Sequence, residues 1–141
     1  MIKAVLDTNV LVSGIVGFTK PDNIPGEILH LWYKNHFSLV TSEPIIQEVL
    51  RTLRMPYFEK RVTPQHASRL AAILRYQSIL TPITENVEGI ATHPEDDLVL
   101  ATALSGNAHF VVTGDEKLQK LKIFKQISII SPQQFVVKFQ L

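Results

Sequence analysis

The chain contains no cysteine. That excludes a disulfide framework, a zinc–thiolate site and a thiol nucleophile, and it agrees with a reducing compartment. Glycine is scarce, with six in 141 residues, and none belongs to a glycine-rich phosphate loop or a dinucleotide fingerprint. An excess of charge is missing too. A net charge of +1 permits nucleic-acid binding through local patches but does not demand it. No segment approaches the roughly 18 apolar residues of a spanning helix. The N-terminal run Met1-Ile2-Lys3-Ala4-Val5-Leu6 is too short for a signal peptide and ends at an acid. The chain is therefore expected to be soluble, unprocessed and cytoplasmic.

What is present points to a compact globule. Apolar residues make up 45% and charged residues 19%, which suits one domain over 1–141 with a real core. There is no repeat and no low-complexity tract. Short apolar runs at Ile2–Leu6, Phe37–Thr41, Ile79–Ile83, His109–Thr113 and Ile127–Ile130 read as strands. Helical patterns lie between them, near 24–35, 43–54, 64–78, 95–105 and 115–121, with a last one from Pro132. Thr63-Pro64 and Ser131-Pro132 each pair an N-cap with a proline at the first helical position, where a missing N–H costs nothing. Alternating β and α with continuously apolar strands predicts an α/β fold with a mostly parallel sheet covered on both faces. Gly14–Gly26 holds Gly17, Pro21, Asp22, Asn23 and Pro25 and reads as an exposed connection. Met55-Pro56-Tyr57-Phe58 reads as a break between two helices.

Four acidic residues stand out. Asp7 directly follows the first strand, and Asp115 follows the strand Phe110-Val111-Val112 through Thr113-Gly114. Ligand sites of parallel sheets lie at the carboxyl ends of strands, so both would share a rim if their strands are neighbours. Asp115 also reads as a plain N-cap. Glu48 falls on the border of a helix whose apolar stripe is Ile45, Ile46, Val49, Leu50 and Leu53. Asp97 opens a helix that is apolar nearly all round, beside Glu95 and Asp96, and residue type alone does not choose between Asp96 and Asp97. If the fold gathers these acids, their like charges call for a counter-cation. Carboxylates without sulfur suit a hard divalent ion, Mg2+ or Mn2+. Such a site commonly hydrolyses a phosphodiester. The histidines (His30, His36, His66, His93, His109) show no zinc spacing, and no serine lies in a nucleophile elbow.

Four stretches together carry a resemblance: Asp7-Thr8-Asn9-Val10-Leu11, Ser42 with Glu48 six residues on, Asp97-Leu98-Val99-Leu100-Ala101-Thr102-Ala103, and Thr113-Gly114-Asp115. In order and spacing they resemble the successive motifs of PIN-domain nucleases over residues 1–131, most of all the PIN-type toxins of prokaryotic toxin–antitoxin pairs. The resemblance implies a three-layer α/β/α sandwich and a metal-dependent endoribonuclease. It implies that Asp7, Glu48, Asp97 and Asp115 hold Mg2+ or Mn2+, and it favours Asp97 over Asp96 by its distance to Leu100 and Ala101. It places Asn9 and Thr113 in support of the acids. It also implies RNA as substrate and a cognate antitoxin as partner.

Cations follow two of the acids. Arg51 and Arg54, with Lys60 and Arg61, come after Glu48, and Lys117 leads Lys120, Lys122 and Lys125 after Asp115. Arg51, Arg54 and Lys117 are the candidate phosphate contacts, against the plainer reading of a solvated helix face. Tyr57 and Phe58 are candidates to stack an unpaired base. Leu29, Leu31, Trp32 and Phe37 form an apolar surplus that a homodimer or the monomer core would absorb. Two other functions compete. One is a phosphotransferase with Asp7 as its nucleophile, disfavoured because Asn9 stands where one phosphatase pattern has a second Asp. The other is a metal-silent RNA-binding or interaction module, which has no need of all four acids.

Overall fold

A computed structural model describes residues 1–140. In chain order the elements are β1 (Lys3–Leu6), α1 (Thr8–Val16), α2 (Ile24–Tyr33), β2 (Ser38–Thr41), α3 (Glu43–Leu53), α4 (Pro56–Glu59) and α5 (Pro64–Gln77). They continue with β3 (Ile79–Leu80), α6 (Pro94–Ser105), β4 (Phe110–Val112), α7 (Glu116–Gln119), β5 (Ile123–Phe124), β6 (Ile127–Ile130) and α8 (Pro132–Val137). The strands form one six-stranded sheet in the order β3-β2-β1-β4-β6-β5. Every pairing is parallel except β5 with β6. Helices flank this sheet in an α/β sandwich. Ala4, Val5, Leu6, Val111 and Val112 are almost wholly buried, as strands covered on both faces require.

The strand order creates a switch point. From β1 the chain goes to β2 on one side, and from β4 it goes to β6 on the other. Crevices open at the carboxyl ends of strands where the winding reverses. Register decides what stands there. Leu6 pairs with Val112, so Asp7 and Thr113 emerge side by side. The Asp7 N–H donates to Val112 O at 3.0 Å, and the Thr113 N–H donates to Ile130 O at 3.0 Å.

Three expectations are corrected. Gly14–Gly26 is not one exposed loop: α1 runs through buried Gly14 to Val16, and α2 begins at Ile24. Gly14 is in the helix because α2 leaves no room for a side chain; a Cβ there would stand 2.8 Å from Pro25 O and 2.9 Å from Leu29 Cδ1. The strand expected over Ile79–Ile83 keeps only Ile79–Leu80, and Thr81 adds one further bond to Thr41 O before Pro82, which has no N–H to offer. The break at Met55–Phe58 contains a single helical turn, α4.

Aromatic packing closes one end of the core. Phe37 and Phe135 meet edge to face, with centroids 5.0 Å apart at 88°. Leu29 and Phe37 of the apolar surplus are buried, and Leu31 and Trp32 pack partly against the core. Among the described residues one buried side-chain atom lacks a hydrogen-bond partner, the hydroxyl of Thr41. A buried unpaired hydroxyl forfeits its hydration without return. Thr41→Val is therefore expected to raise stability by about 1 kcal/mol, read as a higher midpoint in denaturant unfolding. A lower midpoint would show that a bound water satisfies the hydroxyl.

Candidate active site

A cavity of about 520 Å³ opens at the switch point, and Asp7, Asn9, Glu48, Asp96 and Asp115 line it together with His93 and Glu95. Asp7 caps α1, where its Oδ1 accepts the Val10 N–H at 2.9 Å. Its Oδ2 accepts the Thr113 hydroxyl. The Thr113 oxygen in turn accepts the Asp115 N–H at 3.0 Å, so one threonine joins the two rim aspartates. Asp115 caps α7 by accepting the Lys117 N–H at 2.9 Å. The cap reading and the rim reading of Asp115 both hold.

Glu48 arrives from α3, half-buried and paired with Arg51 one turn on. Ser42 and Thr102, both fully buried, lock α3 to α6 through a 2.8 Å hydroxyl contact. Thr102 donates its proton to Leu98 O at 2.8 Å, so Ser42 is the donor to Thr102. This pair is a tertiary link between the helices that carry the second and third acids.

Of the two aspartates that open α6, Asp96 lines the cavity, whereas the resemblance favours Asp97. Asp96 lines the cavity with Glu95 and Val99 of the same helix. Asp97 lies about 100° further round, and its carboxylate accepts the N–H groups of Gly89, Ile90 and Ala91 at 3.0, 3.2 and 2.7 Å. Residue type does not separate the two, because both are aspartates that precede the same apolar run.

The electrostatics follow from the crowding. Burial pushes the Asp7 carboxyl above its ordinary range, and the Asp115 charge adds to this, while the Thr113 and Val10 hydrogen bonds oppose it. The Asp96 carboxyl is pushed up to about 6, first by burial, then by the charges of Asp115 and Asp7. Neither Lys nor Arg lines the cavity, and among the described residues the Asp96 carboxylate is raised by burial and neighbouring acids with no hydrogen bond to lower it. A carboxylate-only donor set without a resident cation fits a hard divalent ion. No group of three such side chains stands ready-made to grip one among the described residues. Mg2+ needs only a few direct carboxylates because it keeps several waters.

The other candidates fall outside. Arg51 is occupied by Glu48, and Arg54 and Lys117 are exposed and do not line the cavity. Tyr57 is exposed, and the Arg61 guanidinium stacks on its ring, 3.8 Å from the centroid. His93, which the sequence showed only as an isolated histidine, stands at the rim as the N-cap of α6.

A mostly parallel α/β sandwich with acids gathered at its switch point defines the class. The sequence model of the PIN domain matches residues 3–117, and the chain belongs to that family, whose members are generally nucleases that use divalent metal ions. An uncharacterized protein of Methanocaldococcus jannaschii is 27% identical over 148 residues, covering 99% of this chain and 92% of that protein. Among solved structures, one chain of VapBC2 from Rickettsia felis, bound to a DNA fragment from their promoter, has the same fold. It matches with a TM-score of 0.59 and 15% identity, over 92% of this chain and 98% of that chain. No helix among the described residues is long and apolar enough to cross a membrane.

Proposed function

We propose that this protein is a metal-dependent endoribonuclease of the cytoplasm and the toxin of a toxin–antitoxin pair. The observation that carries the reading is the gathering of Asp7, Glu48, Asp96 and Asp115 around one cavity in a PIN-domain chain. Asp7, Asp96 and Asp115 are the residues to hold Mg2+ or Mn2+, with Glu48 beside them. The ion supplies Lewis-acid polarisation of the phosphate and a more acidic water. Glu48 faces the same space from α3 and orients the attacking water through its carboxylate. Thr113 holds Asp7 Oδ2 in place and fixes the Asp115 backbone. Arg51, freed from Glu48, which lines the cavity, is a cation to receive a flanking phosphate. Kinship of fold with a VapBC2 chain supports an antitoxin as the partner.

The test is cleavage of a labelled mixed RNA pool with Mg2+ or Mn2+, with EDTA, and with an identically prepared Asp96→Asn variant. Cleavage that needs metal and is lost in the variant is the expected result. Cleavage that survives EDTA would defeat the proposal. A labelled DNA pool run alongside decides the substrate class.

A further inference from the structure

Between β3 and α6 the chain runs from Thr81 to His93 without a helix or strand. Connections of that length inside a compact domain are uncommon and usually serve a function. Few of its side chains hold it: Val87 reaches the core, and Ile83 and Ala91 pack partly against it. Hydrogen bonds to α6 hold the rest. Ser105 Oγ accepts the N–H groups of Thr84 and Glu85 at 3.0 and 3.1 Å. At the other end the Asp97 carboxylate takes the three successive amides of Gly89, Ile90 and Ala91. Gly89 makes this convergence possible with φ +70, a left-handed conformation that glycine adopts without cost. Consecutive amides turned to one side form a natural seat for an anion, and bonds to a carboxylate are about twice as strong as neutral ones.

The position of this seat matters. Two residues beyond Ala91 the chain reaches His93 and turns into α6, and His93, Glu95 and Asp96 all line the acidic cavity. His93 makes no side-chain cap on α6, so the start of that helix is not closed by its own N-cap side chain. We propose that Asp97 is a positioning residue: it clasps residues 89–91 to the start of α6 and thereby holds Asp96 at the cavity in a metal-binding position. The inference rests on the nuclease reading of that cavity. It gives Asp97 a role unlike that of its neighbour, which faces the other acids directly.

The two aspartates are separated by full-length variants read with Mn2+ alone and by hydrogen exchange. Asp97→Ala is expected to abolish amide protection at Gly89–Ala91 and to weaken Mn2+ binding by about 10–100-fold, the range for loss of an outer support. Asp97→Asn keeps an oxygen for Ile90 and Ala91, which share Oδ1, and loses only the Gly89 bond. It is expected to restore protection at those two amides and to bind Mn2+ within a few-fold of wild type. Asp96→Asn is expected to lose Mn2+ binding with protection at 89–91 intact. The proposal is overturned if Asp97→Ala leaves protection or Mn2+ affinity unchanged, or if Asp97→Asn loses Mn2+ as completely as Asp96→Asn, which would make Asp97 a ligand. A wild type that binds no Mn2+ defeats the nuclease reading instead, and the exchange arm alone then decides the clasp.

Discussion

Asp7→Asn is expected to abolish RNA cleavage while leaving the metal-free protein at least as stable as the wild type. Asp7 is 5% exposed and carries a charge that burial and the neighbouring Asp115 both disfavour. The amide keeps the oxygen that accepts the Val10 N–H, so the cap on α1 survives. It removes the buried negative charge and its repulsion with Asp115 and Asp96. Stabilisation at the cost of function is the usual consequence of neutralising a strained site. The loss of cleavage should exceed the roughly 100-fold that removal of an outer support produces, because Asp7 is the most buried acid of the group. Rate measurements and thermal unfolding on the same preparation check both halves. A melting temperature lower by more than about 5 °C, roughly 1–2 kcal/mol at this size, would make Asp7 a structural residue.

The second large effect concerns pH and metal together. In the folded protein the Asp96 carboxyl titrates at about 6, against 3.8 for an ordinary aspartate. A raised folded pKa means that the folded state holds the proton more tightly than the unfolded state. Stability from this group is therefore present at low pH and lost as the pH rises from about 4 through 6. Asp96 is only half-buried, so solvent screening reduces the effect to roughly 1 kcal/mol. Unfolding of wild type and Asp96→Asn in EDTA at pH 5 and 7.5 isolates it as the difference between the two proteins. Adding Mn2+ at pH 7.5 reverses the penalty. At 100 times the dissociation constant the ion contributes about 2.7 kcal/mol, a rise of roughly 5–10 °C for a chain of this length. Asp96→Asn should show a smaller pH penalty, the part left by Asp7, and no rise. An equal rise in the variant would place the ion elsewhere.

Much of this protein is legible along the chain because its determinants are local. The alternation of apolar runs and amphipathic segments follows from the 2.0 and 3.6 periods of strands and helices. Ser131 and Thr63 start α8 and α5 where a side-chain oxygen can reach a free N–H, as the observed caps show. Asp7 and Asp115 are placed at strand ends by the apolar runs before them. The short elements α4 and β5 and the helix α1 are harder to read. Gly14 looks like a loop residue until α2 packs within 3 Å of where its Cβ would be. Pro82 stops β3 after one bond more than its own two residues, a limit that pairing with β2 makes visible.

By itself, the sequence determined the α/β alternation, the family motifs and the supply of acids without sulfur, because each depends on residue type and spacing along one element. Only the tertiary structure decided which acids meet. The register of β1 on β4 puts Asp7 against Thr113, and the Ser42–Thr102 contact sets α3 against α6. The helical phase of α6 turns Asp96 into the cavity and Asp97 onto the amides of Gly89–Ala91. Adjacent residues on a helix differ by about 100° in direction, and the direction that faces a site depends on what the rest of the chain packs around it.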